Sequence, residues 1–342
     1  MTPQVSNLID AIIEAPIVTS FTRIGFDVRS RLDHWTDTSS TDLSGRVMLV
    51  TGATSGLGRS ASEALARAGA IVVLLGRDPA KTARVCAELS EATGNDQLHS
   101  VVADMGDLDA VRTAATEVRE QFDHVEVLVH NAGTLSATRH VASCGVESTV
   151  ASQVLGPFLL TGLLLPLLQA SPSERPARVL TMSSGGMYAA ALTVDRLEMG
   201  LVPGDDYRGV EQYARAKRAQ VTINEMWATR FPDQRVVFHA VHPGWADTPG
   251  VEASLPTFRK IVGPLLRTPQ QGADTLVWLA ADDGPPIKTS GQFWLDRRPR
   301  AIHKLSSTRR SDTLERRRQL WQWCVDRTGV DAGDIDVRAS EV

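Results

Sequence analysis

Thr51-Gly52-Ala53-Thr54-Ser55-Gly56-Leu57-Gly58 follows the apolar run Arg46-Val47-Met48-Leu49-Val50 and opens a helical stretch that reaches Ala68, where Gly69 stops it. A glycine-rich turn carries meaning in that strand–turn–helix setting and little outside it. Gly52 permits a tight turn. Gly56 and Gly58 let backbone approach a pyrophosphate at the helix N-terminus, where free N–H groups and the helix dipole favour negative charge. Thr54, Ser55, Leu57 and Arg59 stand in or beside the turn as candidate contacts for such a ligand.

Outward from the turn, strands and helices alternate. Ile71–Leu75, Leu98–Val102, Val125–His130, Arg178–Met182, Arg235–Val241 and Gln292–Leu295 read as strands. Near-continuous apolar strands separated by helices mean a parallel sheet covered on both faces. The fold class is therefore α/β, a doubly wound Rossmann-type parallel sheet with helices on both faces, plus an N-terminal helical extension. The expected units are the extension over 1–44, the sheet domain over 45–300 and a charged helical tail over 301–342. In the tail, Leu320, Trp321 and Trp323 are the packing residues of a helix over 314–325.

The chain has 342 residues, 42% of them hydrophobic, and a formal net charge of -4, enough apolar content for a large core and too little basic charge for a nucleic-acid partner. Cys86, Cys144 and Cys324 show no CxxC spacing, which speaks against a disulfide framework or a zinc site. No metal is expected. Without a positive n-region and an unbroken apolar stretch at the N-terminus, a cytoplasmic setting is expected. The most apolar stretch, Val154 to Leu168, reads as a buried helix. The extension carries two helical stripes, Val5–Leu8–Ile9–Ile12–Ile13 and Ile17–Phe21–Ile24–Val28–Leu32–Trp35. They fit an arm packed back on the domain, or an arm making peripheral contact with a membrane or partner.

Three further motifs carry chemistry. At the end of the second strand, Gly76-Arg77 replaces the carboxylate that would bind a ribose 2′-hydroxyl. Arg77 can bind a 2′-phosphate instead, with Arg59, just past the glycine turn, as its candidate helper, which favours NADP(H) over NAD(H); the competing reading leaves Arg77 on the surface and gives the ribose to Asp78. Tyr213-Ala214-Arg215-Ala216-Lys217 puts a tyrosine and a lysine four apart on one helix face. A free phenol is only ~0.1% ionised at neutral pH, and a neighbouring cation lowers its pKa. Ser183-Ser184 closes the fifth strand, where a hydroxyl can hydrogen-bond a reacting carbonyl oxygen or simply form a turn.

With His130-Asn131-Ala132-Gly133 and His242-Pro243-Gly244, these motifs resemble, in order, those of the short-chain dehydrogenase/reductase family over residues 44–300. VLTMSSGGM, HPGWADTPGV, QGADTLVWLA and SGQFWLDRRP are similar to the dehydrogenase/reductase member 12-like branch. The resemblance implies Tyr213 as general acid/base, Lys217 on the nicotinamide ribose and lowering the tyrosine pKa, and Ser184 on the substrate oxygen. It implies Asn131, Ala132 and Gly133 beside the cofactor, Asp104 and Met105 at the adenine, and Pro243, Gly244 and Thr248 by the nicotinamide. It also implies a homo-oligomer joined through the two long helices. Gln153 stands where the family has an asparagine that aids a proton relay, so a shifted or absent relay is expected.

Apolar residues in the insert between Ser184 and Tyr213 (Met187, Tyr188, Leu192, Leu197, Tyr207) and after Trp245 (Leu255, Pro256, Phe258) suggest walls for a lipophilic carbonyl or secondary alcohol, or plain loop packing. Two other functions stay open: a non-catalytic NADP-binding regulatory module, and a membrane-associated interaction protein acting through the arm.

Overall fold

The computed structural model describes residues 3–172, 174–198, 207–232 and 235–330. Strands β1 (Val47–Thr51), β2 (Ile71–Gly76), β3 (Leu98–Val102), β4 (Val127–His130), β5 (Ala177–Met182), β6 (Val236–Val241), β7 (Gln292–Leu295) and β8 (Arg298–Arg300) form one sheet in the order β3-β2-β1-β4-β5-β6-β7-β8. The first seven run parallel, and β8 returns antiparallel to β7. The expected doubly wound sheet is present, with its change of winding direction between β1 and β4, the place where such sheets open a ligand crevice.

Alternation along each strand feeds two cores. Val47, Leu49, Val73 and Leu75 face one cluster, and Met48, Val50, Val72 and Leu74 face the other. Three N-terminal helices, α1 (Pro3–Glu14), α2 (Ile17–Phe21) and α3 (Arg23–Leu32), precede the sheet. Helices α4 (Gly56–Arg67) and α5 (Pro79–Thr93) cover the second face. Helices α6 (Leu108–Gln121), α7 (Ser148–Gln169) and α8 (Gly209–Arg230) cover the first. α7 is long and apolar enough to cross a membrane, but 72% of its most apolar window is buried inside the protein, so it serves as a core helix. Two short helices, α9 (Pro249–Ser254) and α10 (Pro256–Val262), follow β6, and α11 (Pro269–Ala281) joins α4 on the second face. After β8 come α12 (Ser306–Ser311) and α13 (Leu314–Thr328). Leu320, Trp321 and Trp323 of α13 are buried, and Trp321 packs at 4.8 Å on both Phe158 of α7 and Trp227 of α8.

Two departures from expectation have physical causes. The hairpin β7–β8 turns on Asp296 and Arg297, both at φ 55°. Two left-handed residues suit such a turn, but the usual signal is Asn-Gly or Asp-Gly. Here side-chain partners hold the pair instead: Asp296 meets Arg29 and Arg267, and Arg297 meets Asp274. The second departure is the arm. It packs on the domain mainly through polar residues, with Ser6, Asp10, Ser20 and Arg29 buried beside Phe21, while Leu8, Ile12, Ile17 and Ile24 of the apolar stripes, and Val18 next to them, face outward.

Candidate active site

The residues named from sequence gather along the C-terminal edge of the sheet. Gly52 and Gly56 take φ values of 65° and 53°, which other residues rarely adopt. A Cβ on Gly52 would lie 2.8 Å from the Ala132 Cα. Gly58 has a different task from the one expected. A Cβ there would collide with the Gly52 carbonyl and the Asn131 amide, so Gly58 serves to let α4 pack on its own turn. Ser55 precedes α4 without capping it through its side chain, which leaves the leading N–H groups for a ligand. Asn131 ties β4 to the turn: its Nδ2 donates to the Thr51 and Gly52 carbonyls at 3.1 and 3.2 Å, and Thr51 Oγ1 accepts from the Asn131 and Ala132 amides. Thr54, Leu57 and Ala132 are half-buried beside it, and Gly133 is exposed.

At the end of β2, a Cβ on Gly76 would collide with Thr82 Oγ1, so no carboxylate can stand there. Asp78 is the N-cap of α5, accepting the Lys81 amide at 2.9 Å, which commits its carboxylate elsewhere. Arg77 is exposed, and its guanidinium has no partner among the described residues. Arg59, expected to help it, pairs with Glu88 at 3.0 Å. Asp104 folds its own turn by accepting the Gly106 amide at 2.8 Å, and Met105 is buried with its carbonyl against Gly156. These features fit a dinucleotide: an uncapped helix start, a glycine cradle, and a free guanidinium where a 2′-phosphate would lie.

Ser184, Tyr213 and Lys217 come together. Lys217 Nζ lies 5.3 Å from the Tyr213 ring centroid and donates to the Met182 carbonyl at 2.8 Å. The Ser184 side chain lies close enough to the Tyr213 hydroxyl to favour its ionised form. Ser183 plays the structural part, donating from Oγ to the Lys217 carbonyl at 3.3 Å. Burial raises the Tyr213 pKa, and the nearby Ser184 hydroxyl only partly opposes it. Burial pushes Lys217 down to about 7. The expected lowering of the tyrosine by the lysine is therefore not found here: the lysine is itself stripped of water and only partly charged at neutral pH. Tyr213 is thereby held in its protonated form.

Gln153 is fully buried inside a π-helical turn of α7, Ala151–Leu155. Its Nε2 donates to the Thr134 carbonyl and its backbone carbonyl accepts from Gln220 Nε2, both at 2.6 Å. No hydrogen bond joins it to Lys217 among the described residues. Pro243 and Thr248 are half-buried, and Thr248 caps α9 by accepting the Val251 amide. Gly244 takes φ 73°, and its open side is filled by the Arg267 guanidinium.

The two expected substrate walls separate. Met187, Tyr188, Leu192 and Leu197 are buried in the cores, and the Tyr207 hydroxyl is hydrogen-bonded to Glu147, so the described part of the insert packs rather than roofs; residues 199–206 lie outside the described residues. The α9–α10 flap has no buried residue, and it presents Val251, Leu255 and Phe258 half-buried. Three residues at this edge, Phe21, Arg267 and Asp296, are buried, and none of them was a site candidate from sequence. Each acts through partners remote in the chain.

Residues 46–193 match the short chain dehydrogenase family. The chain is 35% identical over 271 residues to human "Dehydrogenase/reductase SDR family member 12", covering 79% of this chain and 83% of that one. It is 30% identical to human "Retinol dehydrogenase 11", covering 89% and 92%. Among solved structures, a short chain dehydrogenase from Shigella flexneri 2a complexed with NADP superposes with a TM-score of 0.58 at 26% identity, over 76% of this chain and all of that one.

Proposed function

The chain belongs to the short-chain dehydrogenase/reductase family, and from that premise we propose that it is an NADP(H)-dependent oxidoreductase acting on a lipophilic carbonyl or secondary alcohol, with Tyr213 as general acid/base. The observation that carries the proposal is the Ser184–Tyr213–Lys217 cluster beside an open glycine cradle. When bound, the nicotinamide supplies or takes the hydride. Residues 45–300 hold this chemistry as one unit. Gly52, Thr54, Ser55, Gly56 and Leu57 receive the pyrophosphate, with Asn131, Ala132 and Gly133 bracing the turn. Asp104 and Met105 flank the adenine. Pro243, Gly244 and Thr248 flank the nicotinamide, and Lys217 holds its ribose. Ser184 polarises the substrate oxygen, and Tyr213 gives it a proton in reduction. The half-buried apolar flap supports a lipophilic substrate, as does the likeness to a retinol dehydrogenase. Gln153, whose departure from the family asparagine left a purely binding role open, directs its amide nitrogen to the Thr134 carbonyl.

Purified protein with NADPH, screened against aldehydes, ketones, steroids and retinoids, should oxidise NADPH with apolar carbonyls. Failure with every class, in protein shown to bind NADPH, would remove the proposal. The NADP preference, supported by the NADP held by the Shigella relative and by Gly76-Arg77, has its own check. Arg77→Ala removes one charge-assisted contact worth about 1.5–3 kcal/mol. NADPH should then bind about 10–150-fold more weakly, with NADH nearly unchanged. Equal losses for both cofactors would reject Arg77 as the phosphate ligand.

One observation favours a lipid contact as well. Leu8, Ile12, Ile17, Val18 and Ile24 are 41–64% exposed on the arm, whose charged side is already consumed by the domain. We propose a cytoplasmic enzyme resting on a bilayer through this face. The full chain should float with anionic liposomes, and a Leu8→Ser/Ile12→Ser/Ile17→Ser variant should stay at the bottom of the gradient; equal flotation of the two excludes this face. The expected pairing through the long helices meets a chain-specific obstacle, because α13 already covers α7 and α8.

A further inference from the structure

Ser20, Phe21 and Thr22 present three successive carbonyls to the domain, and all three are taken. Phe21 O accepts the Trp245 amide at 2.6 Å, Ser20 O accepts Arg267 Nη2 at 3.0 Å, and Thr22 O accepts Arg267 Nε at 3.2 Å. Trp245 and Arg267 are the two ends of the α9–α10 flap. They are zipped together, the Arg267 amide donating to Trp245 O at 2.8 Å and the Asp247 amide to Arg267 O at 2.9 Å. The Phe21 ring is 3% exposed and wedged edge-on against His242 at 4.3 Å and Trp245 at 5.9 Å. Its Cε2 lies 2.6 Å from where a Cβ on Gly185 would stand, directly after Ser184. Arg267 fills the space over Gly244. One arm segment thus touches the loop carrying Ser184, the Pro243–Gly244 loop and both feet of the flap.

The flap itself is loosely held. None of its helical residues is buried, and across the crevice Ser254 Oγ donates to the Leu135 carbonyl at 2.7 Å. Trp245 reaches into it through an edge-on contact with Phe258 at 5.0 Å. A segment with few buried contacts opens easily, and the rigidity of its attachment then decides where it closes.

We infer that Ser20–Thr22 is the fixed base on which the substrate-side flap hinges, and that Phe21 and Arg267 are positioning residues for the reaction. The N-terminal arm is part of the active-site architecture. The inference about catalysis rests on the oxidoreductase reading above; the mechanical part does not.

Hydrogen exchange on the full chain separates the two. In Phe21→Ala, amides of residues 249–262 should exchange about tenfold faster while those of β1 and α4 stay as they were, because the anchor is lost locally. Phe21→Leu, which keeps an apolar plug, should restore most of the protection; if the alanine variant does not fold, Phe21→Val, a smaller plug, should show the same local loss in part. Unchanged flap protection overturns the inference, as does an even loss across the domain. In turnover assays the alanine variant should raise the substrate KM severalfold with NADPH affinity kept. A matching loss of NADPH affinity would place Phe21 with the cofactor and overturn the hinge.

Discussion

Tyr213→Phe will leave NADPH binding intact and remove turnover. The substitution deletes one hydroxyl and keeps the ring that lies 5.3 Å from Lys217 Nζ. The residues assigned to the cofactor cradle are untouched, so affinity for NADPH should change by less than about twofold. What disappears is the hydroxyl beside Ser184, and with it the proton that must reach the substrate oxygen. Positioned acid/base groups contribute about 10²–10⁴-fold, and water is a poor replacement in a buried site. The expected fall in kcat is therefore about 10³-fold. The pH profile of the parent protein adds a second readout. Lys217 sits at about 7 before cofactor binds, and kcat/KM reports ionisations of the free enzyme. Reduction should weaken as pH rises through neutrality and the lysine loses its charge. Turnover surviving in Tyr213→Phe would end the assignment of this residue.

Much of this site could be read from sequence because its parts are local. The glycine turn, the Ser184 corner and the Tyr213–Lys217 pair are each short segments whose geometry follows from a strand end or one helix turn. The sheet was equally plain, since Val47–Val50 and Val72–Leu75 are buried on both faces and carry little polar residue to confuse the pattern. Gly76-Arg77 needed only its position at the end of β2. What stayed hidden depends on partners far apart in the chain. Arg29 and Asp296 are 267 residues apart, and no period or spacing announces that they meet. The same distance hid the arm's orientation. Its apolar stripes fitted packing on the domain or contact with a membrane, yet apart from Phe21 the docked side is largely the charged one, because Asp10, Glu14 and Arg29 find Arg300, Lys304 and Asp296 waiting on the domain. The Tyr213–Lys217 spacing was legible while its electrostatics were not: burial of the lysine, a tertiary fact, decides its charge.

Asp296→Asn should cost the protein about 3–5 kcal/mol, the usual loss when one member of a buried ion pair is removed. The carboxylate is fully buried between two buried guanidiniums, Arg29 Nη1 at 2.6 Å and Arg267 at 2.6 and 2.9 Å. Asparagine preserves the volume and tolerates the left-handed turn conformation, so the change isolates charge from backbone. Arg29 would keep Asp10 and Glu14. Arg267 would keep only carbonyls, those of Ser20, Thr22 and Pro243, and its charge would stand uncompensated in the interior. Thermal unfolding should move down on the order of 10 °C. The pH dependence follows with a definite sign. Burial alone would raise the Asp296 pKa, but Arg267 and Arg29 outweigh it and hold the carboxyl below the usual aspartate value. The unfolded chain then binds the proton first, so the stabilisation is complete above about pH 4 and fades as pH falls through the lower, folded value. The gap between parent and Asp296→Asn should therefore be widest at neutral pH and close in acid. A loss below about 1 kcal/mol, or a gap that stays constant down to pH 3, would mean that Asp296 acts as a hydrogen-bonding turn residue rather than as the charge that locks the arm to the sheet.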